Sequence, residues 1–168
     1  MRKFGKKRTN KNSLNIEAKL RPNVALVIFS SDGKILVGKR AGSEIWQLPQ
    51  GGIEMGTLVD AAFKEAYEEL GISRNYLVPI DVLDYLNVYK FKAPKDYGDE
   101  VYHGQSQRFI VFKFIGTEVD LSKSTSNELS EVKWVTLDEF VCICDPVRRK
   151  AYEEIVKEIR RKNILLRL

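Results

Sequence analysis

Glu65, Glu68 and Glu69 stand at i, i+3 and i+4, so an α-helix through them would carry all three carboxylates on one face. Like charges at that spacing repel by roughly a few tenths of a kcal/mol per pair. Such a face is either a solvated acidic surface or the seat of a compensating cation, and oxygen-only donors select a hard one, Mg²⁺ or Mn²⁺. The residues ahead favour the cation. Gln50-Gly51-Gly52-Ile53-Glu54-Met55-Gly56 is a glycine-punctuated loop whose bare backbone can approach a metal or a phosphate closely.

The elements that must position these groups are legible in part. Leu58, Ala62, Ala66 and Leu70 recur at helical spacing, Thr57 with Asp60 resembles a cap and Gly71 stands where a helix would stop, which predicts a helix from about Leu58 to Leu70. The run Val24 to Phe29, the turn Ser30-Ser31-Asp32-Gly33 and the run Lys34 to Val37 predict a mostly buried hairpin. Leu77 to Phe91 reads as one long or two short strands. Ala93 to Gly104 reads as a polar loop before a strand over Gln107 to Phe114, and Val132 to Val135 as a further strand. Ala151, Ile155 and Ile159 place a second helix over about Val147 to Lys162. Strands flanked by helices at separate points indicate a mixed α/β layered structure.

With 168 residues, 43% hydrophobic and 30% charged, the chain has the composition of a globular protein rather than a disordered one. It is expected to form a basic, flexible N-terminal arm over residues 1–19 and one domain over 20–168. The net charge of +5 is concentrated in that arm at Arg2, Lys3, Lys6, Lys7, Arg8 and Lys11, which would contact nucleic acid or simply stay solvated. No apolar run approaches a membrane span and no secretory signal is evident, so a cytoplasmic location is expected. Cys142 and Cys144 have no second Cys or His pair and read as buried reduced thiols.

The stretch from Gly51-Gly52-Ile53-Glu54-Met55-Gly56 through Lys64-Glu65-Ala66-Tyr67-Glu68-Glu69-Leu70-Gly71-Ile72 resembles the Nudix box, G-x5-E-x7-R-E-U-x-E-E-x-G-U. It departs from that pattern in being one residue shorter, in having Thr57 near the position of the first motif glutamate and in carrying Lys64 for the arginine. The missing residue lies either in the loop, leaving the glutamate register untouched, or in the first helical turn, offsetting glycine and carboxylates by about 1.5 Å. Thr57 as a helix cap favours the loop. The fold implied is a Nudix-like α/β/α sandwich around a mixed β-sheet.

Arg21-Pro22-Asn23-Val24, Trp46-Gln47-Leu48-Pro49-Gln50-Gly51-Gly52-Ile53 and Gly104-Gln105-Ser106-Gln107-Arg108-Phe109 further resemble the RNA pyrophosphohydrolase and diadenosine polyphosphate hydrolase branch. The resemblance implies metal ligands at the Gly51 carbonyl, Glu65, Glu68, Glu69 and Glu128, with Glu68, Glu69 and Glu128 catalytic. Glu128 is preferred over Glu131 as the base from outside the helix, and His103 reads as a rim residue. It also implies substrate contacts at Arg21, Arg40, Tyr89, Gln105 and Arg148, where arginine suits phosphate and an aromatic suits a base. The expected substrate is an RNA 5′ end carrying a di- or triphosphate, with a dinucleoside polyphosphate of the Ap4A type as the alternative. A catalytically weak polyphosphate- or RNA-binding protein is the remaining reading.

Overall fold

The computed structural model of the chain describes residues 18–168, so the expected basic arm and its nucleic-acid contact lie outside the described residues except for Ala18 and Lys19. The apolar run beginning at Val24 is the buried part of strand β1 (Leu20–Phe29). An unalternating run needs cover on both faces, and β1 has it because helices pack on each side of the sheet. Strand β7 (Val101–Phe114) runs parallel to it, in register from Leu20↔Gly104 to Phe29↔Lys113. Antiparallel to β1 lie β4 (Gln50–Gly52) along its middle and β2 (Ile35–Arg40) at its end. The sheet is completed by β3 (Trp46–Gln47) and β8 (Leu129–Val135) on β2, and by β5 (Leu77–Val82) and β6 (Asn87–Asp96) on β7. One parallel pair among antiparallel ones makes the sheet mixed, as the sequence predicts.

Alternation along the central strands sorts the core into two layers. Val24, Leu26, Ile28, Ile110 and Phe112 pack against helix α1 (Leu58–Leu70) through Ala62, Phe63, Ala66 and Leu70. Ala25, Val27, Phe29, Phe109 and Val111 face helices α2 (Leu137–Ile143) and α3 (Arg149–Arg161), meeting Phe140, Tyr152, Ile155 and Ile159. Helices on both faces of one mixed sheet give the α/β/α sandwich. Helix α1 has the predicted bounds: the Thr57 hydroxyl accepts from the Asp60 amide at 3.1 Å, and Gly71 adopts φ 68° while its amide and that of Ile72 close on Tyr67 and Ala66. The hydroxyl satisfies one of the unpaired amides of the first turn and the left-handed glycine stops the helix. Among the described residues no helix is long and apolar enough to cross a membrane.

Two expectations are corrected and one element is added. The polar segment 93–104 is not a long loop: β6 continues to Asp96, β7 starts at Val101 and a tight turn, with Gly98 at φ 93°, joins them. Its polarity reflects a hairpin arm exposed on most of its residues, whose backbone groups are satisfied by each other without an apolar face. Helix α2 was not anticipated, although Thr136 and Glu139 form the reciprocal capping box that announces it. Of the cysteines only Cys144 is buried; Cys142 is exposed, because it lies on the outer side of this short helix.

A buried glutamate ties α3 to the segment between β5 and β6. The Glu158 carboxylate accepts from the Asp84 and Tyr85 amides at 2.6 and 3.0 Å and pairs with Lys162 at 3.0 Å. Hydrogen bonds to a charged acceptor contribute about 1.5–3 kcal/mol each. Glu158→Ala is therefore expected to lower unfolding stability by about 2–4 kcal/mol in urea titration; a loss below about 0.5 kcal/mol would show that solvent replaces the carboxylate.

Candidate active site

The alternation that builds the core also sets out a polar strip. On the face covered by α3, the paired residues of β1 and β7 change from Ala25/Phe109 to Asn23/Gln107 and then Arg21/Gln105. Strand β6 extends the last two rows with Asn87 and Tyr89. The rows are hydrogen-bonded: Gln107 Nε2 donates to Asn23 Oδ1 at 2.7 Å and also to the Gln50 side-chain oxygen, and the Tyr89 hydroxyl donates to Gln105 Oε1 at 2.6 Å. Satisfied amide networks of this kind are rigid, so the strip is a fixed floor.

Strand β4 separates this floor from α1, and its tandem glycines serve opposite sides. A Cβ on Gly51 would overlap the Glu65 carboxylate, whereas one on Gly52 would overlap the Arg21 guanidinium. Only a strand without side chains lets an acidic group from α1 and a basic group from β1 close on the same backbone. Arg21 is stacked over the Tyr97 ring, its Cζ 4.0 Å from the centroid, which fixes the plane of the guanidinium.

Glu65 and Glu68 are half-buried and Glu69 is 1% exposed, so the helix face they share runs from the open cleft to a sealed contact with β4. The Gln50 amide donates to Glu69 Oε2 at 3.0 Å. Burial first, and the neighbouring Glu128 carboxylate second, push the Glu69 carboxyl up to about 9. Burial and then Glu68 raise Glu65 to about 7. Among the described residues neither Glu65, Glu69 nor Glu128 has a lysine or arginine ion-pair partner. Such carboxylates favour protons or cations, and the all-oxygen donor set of Glu65, Glu68, Glu69, Glu128 and the Gly51 carbonyl fits a hard divalent ion in its chemistry. No three acidic side chains among the described residues form a closed cage, so joint coordination requires rotation of the more exposed side chains, Glu65, Glu68 and Glu128.

Glu128 reaches the cluster because the loop before β8 is docked on α1. The Ser124 hydroxyl and the amides of Thr125 and Ser126 all donate to the Glu68 carbonyl, at 2.7, 2.9 and 3.0 Å, and the Ala41 amide donates to the Glu128 carbonyl at 2.8 Å. Glu131 is exposed opposite Lys39 on β8 and does not line the cleft; His103 does not line it either.

The cleft, about 800 Å³ in volume, is lined by Arg21, Arg40, Tyr89, Gln105 and Arg148 together with Gly51, Glu65, Glu68 and Glu128. Every substrate-contact residue expected from the sequence is thus brought to one concavity, and only buried Glu69 stands behind its wall. Arg148, at the start of α3, is held by Asp145 at 2.6 Å. The shortened motif does not separate the glycine from the carboxylates. Lys64 lies 3.6 Å from Glu54 and 4.0 Å from Glu68, so a loop glutamate supplies its acidic partner while Thr57 caps the helix. Sequence reading placed Lys64 beside the carboxylates but missed Glu54, Asn23, Gln50, Gln107, Phe91, Lys95 and Tyr97 as cleft or floor residues. The signal for the amides was present in the polar positions that interrupt β1 and β7 on their otherwise apolar inner face.

Comparison with known proteins agrees with this geometry. The NUDIX domain family matches residues 19–160. A protein named RNA pyrophosphohydrolase from Rickettsia bellii is 41% identical over 143 residues, 82% of this chain and 88% of that one. Two solved structures share the fold. A C. elegans Ap4A hydrolase binary complex has a TM-score of 0.58 at 21% identity, covering 80% of this chain and 96% of that one. The E. coli dihydroneopterin triphosphate pyrophosphohydrolase has a TM-score of 0.61 at 19% identity, covering 81% and 96%. By sequence across most of its length, and by the sandwich that carries the carboxylate helix, the chain belongs to the NUDIX domain family.

Proposed function

We propose that this protein is a Mg²⁺-dependent RNA 5′-pyrophosphohydrolase that converts 5′-tri- or diphosphorylated RNA to 5′-monophosphorylated RNA, with Mn²⁺ able to substitute. The observation that carries the reading is the two-sided use of β4, which sets the Glu65 carboxylate on one glycine and the Arg21 guanidinium on the next in one cleft. Acidic groups that hold cations and arginines that hold phosphate oxygens are the two halves of a polyphosphate site. Relatives named RNA pyrophosphohydrolase that match most of the chain support RNA as the substrate.

Nudix hydrolases in general depend on a divalent metal. Here Glu65, Glu68, Glu69, Glu128 and the Gly51 carbonyl would hold it, and the bound ion would neutralise phosphate charge and lower the pKa of the attacking water. Arg21 and Arg40 bind the phosphate oxygens and turn the anhydride toward the carboxylates. Tyr89, fixed by Gln105, presents its ring to the first base, and Arg148 closes that side. Glu128 takes the proton from water as the new O–P bond forms and the bond between the α- and β-phosphates breaks. The RNA keeps its α-phosphate, and pyrophosphate leaves a triphosphate end or phosphate a diphosphate end.

The test is a side-by-side assay on 5′-triphosphorylated RNA and diadenosine tetraphosphate with Mg²⁺. A 5′-monophosphate RNA end, produced at least tenfold more efficiently by kcat/KM (about 1.4 kcal/mol) than the dinucleotide is cleaved, is the expected result. Cleavage of the dinucleotide alone would make the protein an Ap4A-type hydrolase. Cleavage of neither, with binding of both, would make it a polyphosphate-binding protein.

A further inference from the structure

The cleft continues past the glutamates and arginines onto the hairpin formed by β6 and β7. Its wall there is Tyr89, Phe91, Lys95 and Tyr97. Tyr89 and Phe91 alternate with exposed lysines along β6, so both rings turn to the cleft, edge to face with centroids 6.0 Å apart. Lys95 Nζ sits 4.6 Å over the Phe91 ring, and Arg21 stands over Tyr97. Of these rings, Phe91 and Tyr97 each stand beside a cation. On the side of Arg148 the preceding residue is Val147, 89% exposed, which offers no ring.

We propose that the β6–β7 hairpin is a binding track for the unpaired nucleotides that follow the reacting 5′ end, with Phe91 stacking a base and Lys95 pairing with a backbone phosphate. Every base has a π-face, so stacking on Phe91 is tolerant of sequence, and an ammonium now resting on that ring is free to move to a phosphate as a base takes its place. The turn at Gly98 and the exposure of β6 keep the track open at its far end, so it sets no upper limit on RNA length. This inference rests on the RNA reading of the site, and its readouts separate the two.

The experiment compares wild type, Phe91→Ala, Phe91→Trp and Lys95→Gln on a 5′-triphosphorylated dinucleotide and hexanucleotide, and measures binding of a 5′-monophosphorylated hexanucleotide by fluorescence anisotropy. Phe91→Ala is expected to weaken hexanucleotide binding and kcat/KM about tenfold while the dinucleotide changes less than twofold, with Phe91→Trp restoring both. Lys95→Gln should reduce the slope of log affinity against log salt by about one. An equal loss on both lengths, or no loss on either, would overturn the track. If no RNA is hydrolysed yet hexanucleotide binding depends on Phe91, the pyrophosphohydrolase reading falls and the track stands.

Discussion

Glu69→Gln is expected to lower kcat on triphosphorylated RNA by about a thousandfold while making the metal-free protein more stable than wild type at pH 8. The glutamine keeps the volume of the buried side chain and can still accept from the Gln50 amide, which now donates to Glu69 at 3.0 Å. What it removes is a carboxyl next to Glu128 and Glu65 that would give up its proton on binding a cation. A cation held by one carboxylate fewer gives up several kcal/mol of charge stabilisation in the transition state, and about 4 kcal/mol is a thousandfold in rate.

The stability effect has the opposite sign because of where Glu69 titrates. Its carboxyl moves from 4.5 to about 9 on folding, chiefly through burial. Below pH 4.5 the group is protonated in both states and contributes nothing. As pH rises from 4.5 toward 9 the unfolded chain gains the free energy of ionisation while the folded one does not, so stability falls throughout that window and levels off above it. Glutamine does not titrate, so the mutant escapes this loss. Glu65, raised to about 7, adds a penalty of the same sign over a narrower window in both proteins. Thermal melts in EDTA should show Tm nearly equal at pH 5 and several degrees higher for Glu69→Gln at pH 8. A mutant less stable at both pH values would mean that Glu69 is held as a carboxylate by its neighbours, and activity within tenfold of wild type would remove it from the cation site.

How much of this could be read beforehand depends on whether the signal was local. The α1 cap, the glutamate spacing and the Gly71 stop are all written within one turn of where they act, and the helix appeared with its predicted ends. The layered fold was legible for the same reason, since β1 and β2 are marked by continuous apolar runs and the two long helices by their own period. The hairpin arm was not, because β6 and β7 satisfy each other's backbone outside the core and need no apolar alternation. Burial of Glu69 was also hidden: periodicity puts the three glutamates together but cannot say whether β4 or water lies against them. The floor of amides depends on the register of three strands: Asn23 meets Gln107 across 84 positions of the chain and Asn87 meets it across 20.

The tandem glycines turn that register into a second large effect. Gly51→Ala is expected to lower kcat about a hundredfold, whereas Gly52→Ala is expected to raise KM about tenfold with kcat within a few-fold of wild type. Neither glycine has positive φ, so alanine is compatible with the backbone at both, and each new methyl meets the far end of a long side chain rather than packed core. Stability should therefore change by less than about 1 kcal/mol in either mutant. The methyl at 51 must drive the Glu65 carboxylate away from the strand whose carbonyl is to share its cation, and a displacement of about 1 Å at a reacting centre costs on the order of a hundredfold. The methyl at 52 pushes only the Arg21 guanidinium off its place over Tyr97, loosening a phosphate contact that substrate and transition state use alike. An interaction of that kind appears in KM rather than kcat. Metal titration sharpens the contrast: Gly51→Ala should need more Mg²⁺ for half-maximal rate, and Gly52→Ala should not. If both mutants show the same change in kcat and the same Mg²⁺ requirement, β4 does not divide a cation side from a phosphate side, and Arg21 and Glu65 act on one face of the substrate together.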